Sequence, residues 1–232
     1  MNPPDDRWLK THSGPLSTRR MAAALDRIAA FVAGKDHLAV TRVAEQQDPY
    51  AVLVATLISL RTRDEVTDAV SPRLLAEAST PEALARTPPE RIARLIYPAC
   101  FYRVKGRTLN AIARAIVERH GGRVPDTMEE LLALSGVGRK TANLVLTMGY
   151  KKPGICVDTH VHRIAGRLGF VRTRSADDTE QVLRARLPRR LWIPINDVLV
   201  SFGRTHCTPL SPRCSTCPVA RTCLRVGVGK SR

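Results

Sequence analysis

The stretch that most restricts what this chain can fold into is Leu131–Asn143, where Ser135-Gly136-Val137-Gly138 interrupts two helical patterns. Leu131, Leu132 and Leu134 close the first pattern, and Ala142, Val145, Leu146 and Gly149 space out the second, so the segment reads as a hairpin between helices. Glycine at positions 136 and 138 permits positive φ and leaves no Cβ in the way. Successive backbone N–H groups can then face a phosphate at the start of the second helix. The alternative is an ordinary αα turn, but Arg139 and Lys140 follow at once, at a helix terminus that is already positive. Cations there are unfavourable without an anion.

Lys140 carries a second meaning. The helix terminus and the charge of Arg139 favour its neutral amine, the form a covalent nucleophile needs. From these residues alone it is equally a phosphate contact or a solvated lysine. Asp158 adds weight to the first reading: it follows the apolar Ile155-Cys156-Val157 and precedes Val161, Ile164, Ala165 and Leu168 at helical spacing, which is where an N-cap belongs. A cap carboxylate held by backbone donors stays ionised, as is also required of a group facing a developing cation.

With 232 residues the chain can bury one large core or two modest ones. Lys and Arg number 37 against 21 Asp and Glu, leaving a net charge of +16 and a pI near 10.5. A surplus of that size points to a polyanion, and nucleic acid is the natural one, although ribosomal or membrane-surface binding would need the same charge. The longest apolar run, Tyr50 to Leu60, is too short to span a bilayer, and Met1–Lys10 is polar, so a cytoplasmic protein without a membrane partner is expected.

Residues 1–17 carry Pro3, Pro4, Gly14 and Pro15 without periodicity and read as a mobile tail. Met21, Leu25, Ile28 and Val32 mark one helix face. Asp48-Pro49 opens a helix that is apolar all round to Leu60, the expected central core helix, and it ends abruptly at Arg61-Thr62-Arg63-Asp64. Pro72 should kink or delay the next helix. Thr80-Pro81 and Thr87-Pro88-Pro89-Glu90 start two short ones. Phe101-Tyr102, beside Arg103 and Lys105, is more simply a core aromatic pair, and Val104–His120 is amphipathic until Gly121-Gly122. The basic residues Arg167, Arg172 and Arg174 read as a solvated face. No segment alternates as a strand does, so the class is all-α.

Cys207, Cys214, Cys217 and Cys223 are spaced C-x6-C-x2-C-x5-C, and no signal peptide precedes them. Four thiolates on one tight loop bind zinc or an iron-sulfur cluster, yet only Cys214 and Cys217 form the knuckle that a zinc ribbon would use twice. Cys100 and Cys156 fall outside the set and read as free, buried thiols.

Leu134–Asn143, then Val157-Asp158-Thr159-His160, then the four cysteines, together resemble the endonuclease III family of helix-hairpin-helix DNA glycosylases, over nearly everything from Arg20 to Cys223. The resemblance implies two helical domains with a DNA-binding cleft between them: residues 42–153 as a six-helix barrel containing the hairpin, and 18–41 with 154–232 as an iron-sulfur domain built from both chain ends. It implies a 4Fe-4S cluster on the four cysteines, which matches their spacing in every interval. It also implies that a monomer acts on double-stranded DNA holding oxidised pyrimidines or abasic sites, with Lys140 as Schiff-base nucleophile and Asp158 as its electrostatic partner. By the same resemblance Gly136, Val137, Gly138, Arg139 and Thr141 contact DNA, as does Arg213 in the first cysteine loop. Arg61, where the family usually has Gln, and Phe101 fill the gap left by an extruded nucleotide. Two rivals remain at this point: a monofunctional glycosylase of the same superfamily, and a non-catalytic DNA-binding protein with a structural metal.

Overall fold

The computed structural model describes residues 5–34 and 48–232. The chain divides into two compact units, Leu38–Lys152 on one hand and Met1–His37 with Pro153–Arg232 on the other. The boundary expected at residues 41 and 42 lies outside the described residues. Among those described, regular structure is helical apart from one isolated bridge, Ser13 to Val171.

The middle unit is built on α3 (Pro49–Ser59), whose residues Tyr50 to Ile58 are all buried. Asp48 starts it by accepting from Tyr50 N at 2.9 Å, and Pro49 sits at the first turn, where its missing N–H costs nothing. Each Val, Leu or Ile buried here contributes about 1.5–3 kcal/mol, which is why a helix without a polar face belongs at the centre. Around it lie α4 (Asp64–Glu77), α5 (Pro81–Arg86), α6 (Pro89–Leu95) and α7 (Tyr102–His120). α4 runs through Pro72 as one helix, contrary to the expected delay. One ladder hydrogen bond is forfeited there, but Thr67, Val70, Ser71 and Leu74 are buried and hold the helix by packing. Thr87 does not start α6; its Oγ1 donates to Ala83 O at 2.8 Å and so closes α5. α6 and α7 approach so closely at Gly106 that a Cβ there would stand 2.6 Å from Pro89 O.

The other unit contains α1 (Asp6–His12) and α2 (Thr18–Val32), then α10 (Thr159–Leu168), α11 (Ala176–Arg186) and α12 (Pro194–Thr205). Met21, Leu25, Ile28, Ile164, Leu168, Phe170 and Phe202 share its core. From Asp5 onward the expected tail is part of the fold. Asp5 caps α1, Gly14 N and Leu16 N donate to Phe170 O and Gly169 O at 2.8 and 2.9 Å, and Leu16 is buried. The guanidinium of Arg186 ties the same segment by donating to Gly14 O, Leu16 O and Phe170 O. α1 buries no residue, and the pairing that follows is short, so neither leaves a periodic trace in the sequence.

Candidate active site

The hairpin forms between α8 (Met128–Ala133) and α9 (Arg139–Leu144), the latter continuing as a π turn over Val145–Gly149. Thr127 caps α8, exchanging hydrogen bonds with Glu130 N and Oε2. Only one of the two turn glycines uses positive φ: Gly136 stands at +92°, whereas Gly138 is extended at −95° and N-caps α9. A Cβ on Gly138 would meet nothing within 4 Å, so what this glycine provides is open access to the first N–H groups of α9. Lys140 lies exposed on that first turn, Arg139 is half-buried beside it, and Thr141 to Leu144 are buried beneath. Gly149 anchors the far end, because a Cβ there would stand 2.7 Å from Pro49 Cα. The nucleophile candidate is thus carried on a helix wedged against α3.

Asp158 belongs to the other unit and N-caps α10. Its Oδ1 accepts from His160 N and Val161 N, both at 2.9 Å, and among the described residues its Oδ2 accepts no hydrogen bond. One carboxylate oxygen alone thus fixes the helix start. Two arginines one turn apart on α10 connect the helix to the cysteine loop. Arg163 donates to Gly203 O and Cys207 O at 3.3 and 3.1 Å; burial draws its guanidinium downward, while the charges of Cys207 and Asp158 oppose that. Arg167 is 9% exposed and donates to Thr208 O at 2.7 Å, Pro209 O at 2.5 Å and Cys207 Sγ at 3.4 Å.

All four cysteines of the loop are free thiols, and all four line one cavity together with Ile164, Leu168, Phe202 and Val219. Burial pushes the thiols of Cys217 and Cys223 up, and both are raised further by Cys207 and Cys214. A cation in the cavity reverses that penalty, because the thiolate is the ligand form. Among the described residues no three His, Cys, Asp or Glu side chains are grouped closely enough to hold a single metal ion. Four thiols lining one apolar cavity supply the donor set that a bound metal or metal cluster requires.

Arg61 and Phe101 meet in the middle unit. Both adopt the left-handed region, at φ of 57° and 56°, and the guanidinium of Arg61 lies over the Phe101 ring at 5.9 Å from its centroid. Phe101 is 57% exposed, which removes the core reading of the aromatic pair. Tyr102 packs edge-on against Tyr97 instead.

Against known proteins, residues 54–189 match the model of the HhH-GPD superfamily of base excision DNA repair proteins. Endonuclease III of Thermotoga maritima is 49% identical over 179 residues, which cover 77% of this chain and 84% of that one. The chain belongs to the endonuclease III family. It covers 47% of a longer member, the chloroplastic endonuclease III homolog 2 of Arabidopsis thaliana, at 42% identity over 75% of its own length. A solved structure of a trapped endonuclease III–DNA covalent intermediate superposes with a TM-score of 0.80, at 30% identity over 90% of this chain and 97% of that one.

Within this family chain, Arg213 is exposed at the end of the first cysteine loop. Two expectations are corrected. Cys100 is exposed, not buried, while Cys156 is buried as expected. Arg167 is not on a solvated face; its position on the apolar side of α10, between Ile164 and Leu168, was the available signal. Sequence reasoning also passed over Arg163 and Lys105, whose roles depend on carbonyls distant in the chain.

Proposed function

We propose that this chain is a bifunctional base-excision repair enzyme: a DNA glycosylase that removes oxidised pyrimidines and an abasic-site lyase. Supporting it most is the exposed amine of Lys140, two residues past the open Gly138, in a chain that matches a protein trapped covalently on DNA. Extruding the nucleotide exposes C1′. The Lys140 Nζ lone pair forms a bond to C1′ as the glycosidic bond breaks, and its electron pair leaves with the base. Asp158 Oδ2 faces the cationic sugar and takes up the proton released from Lys140. Opening of the sugar ring gives an iminium; loss of a C2′ proton then expels the 3′ phosphate and cuts the strand. Lys140 is released by hydrolysis.

Gly136, Val137, Gly138, Arg139 and Thr141 hold a phosphate at the hairpin, Arg213 holds another, and Arg61 with Phe101 fills the vacated stack. The four cysteines would hold a 4Fe-4S cluster, which would pin their loop and thereby Arg213. The enzyme acts as a monomer. Incubation with duplex DNA containing one abasic site tests the reading. The expected product is a strand cut 3′ to the site, bearing an unsaturated aldehyde. An intact strand overturns the lyase assignment and favours a monofunctional or non-catalytic protein.

A further inference from the structure

The loop carrying Arg61 is held by one side chain from another helix. Lys105, the fourth residue of α7, directs its ammonium at Ile58 O (2.5 Å), Leu60 O (2.7 Å) and Thr62 Oγ1 (2.8 Å). Ile58 and Leu60 lie at the C-terminal end of α3, where carbonyls lack intrahelical donors. Thr62 N, the donor that another turn of helix would bring to Ile58 O, goes to Ser59 O at 3.0 Å. Thr62 Oγ1 in turn accepts from Cys100 N at 3.1 Å. A single ammonium thus joins the end of α3, the residue after Arg61 and the residue before Phe101.

What it joins is strained. Arg61 and Phe101 both occupy the left-handed region, which non-glycine residues rarely adopt unless the surroundings impose it. Both side chains nevertheless point to solvent, with the guanidinium over the ring. We propose that Lys105 is a positioning residue that holds Arg61 and Phe101 as one preassembled gap-filling unit, an inference that rests on their role as stack-filling residues. Ordering two exposed side chains only when the nucleotide leaves the stack would weaken the extruded state, and preassembly removes that loss.

The electrostatics agree. Burial pulls the Lys105 amine down to about 8, with Cys100 opposing, so the fold retains a charge that its surroundings disfavour. Three acceptors require three N–H groups on one nitrogen, and the ammonium alone among side chains of this reach supplies them. Methionine at this position would avoid the burial of charge but leave the loop untied.

Lys105→Met and Thr62→Val test the proposal in the full chain. The probe is duplex DNA with 2-aminopurine opposite a tetrahydrofuran abasic analogue, which is bound without being cut. Wild type and both variants should bind it with affinities within about threefold, since phosphate contacts dominate binding. The variants should lose most of the fluorescence rise that reports displacement of the opposite base, as Phe101→Ala does, and Lys105→Met combined with Phe101→Ala should be no worse than Phe101→Ala. Excision of thymine glycol from a paired duplex should slow about tenfold or more, and from a one-nucleotide bulge by less than about threefold, each relative to wild type. Equal slowing on both substrates, or an unchanged fluorescence rise, overturns the proposal. Should Lys105→Met not fold, Thr62→Val alone decides it. A wild type that excises nothing would refute the proposed function, while the fluorescence arm would still judge the positioning role.

Discussion

Replacing Asp158 separates its cap from its proposed catalytic task, because the cap uses only Oδ1. Asparagine keeps a side-chain oxygen where Oδ1 accepts from His160 N and Val161 N, so the cap survives. Lost is the charge at the start of α10, worth about 0.3–1 kcal/mol to the helix. For a protein of this size that lowers Tm by roughly 1–4 °C. Alanine removes the cap as well, a further loss of about 0.5–2 kcal/mol, so Asp158→Ala should melt about 1–8 °C below Asp158→Asn. The chemical step ranks them differently. Neither variant has a carboxylate for the developing cation, and both should lose about 10²–10³-fold in single-turnover excision, with DNA affinity nearly unchanged. Melting by circular dichroism and excision of thymine glycol under single-turnover conditions provide the two scales. If Asp158→Asn excises normally, or if rate loss tracks Tm loss across both variants, Asp158 is only a cap and the argument fails.

Other outcomes follow from the cysteine loop, the charge and Lys105. Purified protein should be yellow-brown with about four irons, and Cys217→Ser should lose iron and solubility together; stoichiometric zinc in colourless protein would contradict the cluster. If five to eight phosphates are neutralised, log K should fall against log salt with a slope of roughly −5 to −7, and Arg213→Ala should lessen it by about one without altering lesion preference. A flat dependence would remove the basic face from the account. Because Lys105 titrates near 8 in the fold and near 10.5 when unfolded, the unfolded chain binds more protons between those values. The burden of burying its charge is therefore complete below pH 8 and relieved as pH rises. The Tm of wild type should gain on that of Lys105→Met from pH 8 to 10, and a constant difference would show that the amine is not desolvated.

Periodicity exposed most of the helices because most of them bury one stripe. Met21, Leu25, Ile28 and Val32 are all buried, as is the whole of Tyr50–Ile58. The cap at Asp158 was legible for a related reason: its contacts lie within three residues. Illegible were the features whose partners lie far away in sequence. α1 and its attachment depend on Phe170 and Arg186, Arg167 is buried because carbonyls of residues 208 and 209 receive it, and Lys105 is tied to residues more than forty positions earlier. Gly138 shows a subtler limit. Two glycines in a turn announce permissive backbone, but not which of them uses positive φ and which only leaves room.

The central claim is that Lys140 attacks C1′, and covalent trapping tests it most directly. Borohydride added to protein and abasic duplex DNA should reduce the iminium to a stable adduct, and peptide mapping should place the DNA on Lys140. Lys140→Ala should form no adduct while binding the same DNA within a few-fold of wild type. An adduct on another residue, or undiminished trapping by Lys140→Ala, would contradict the account.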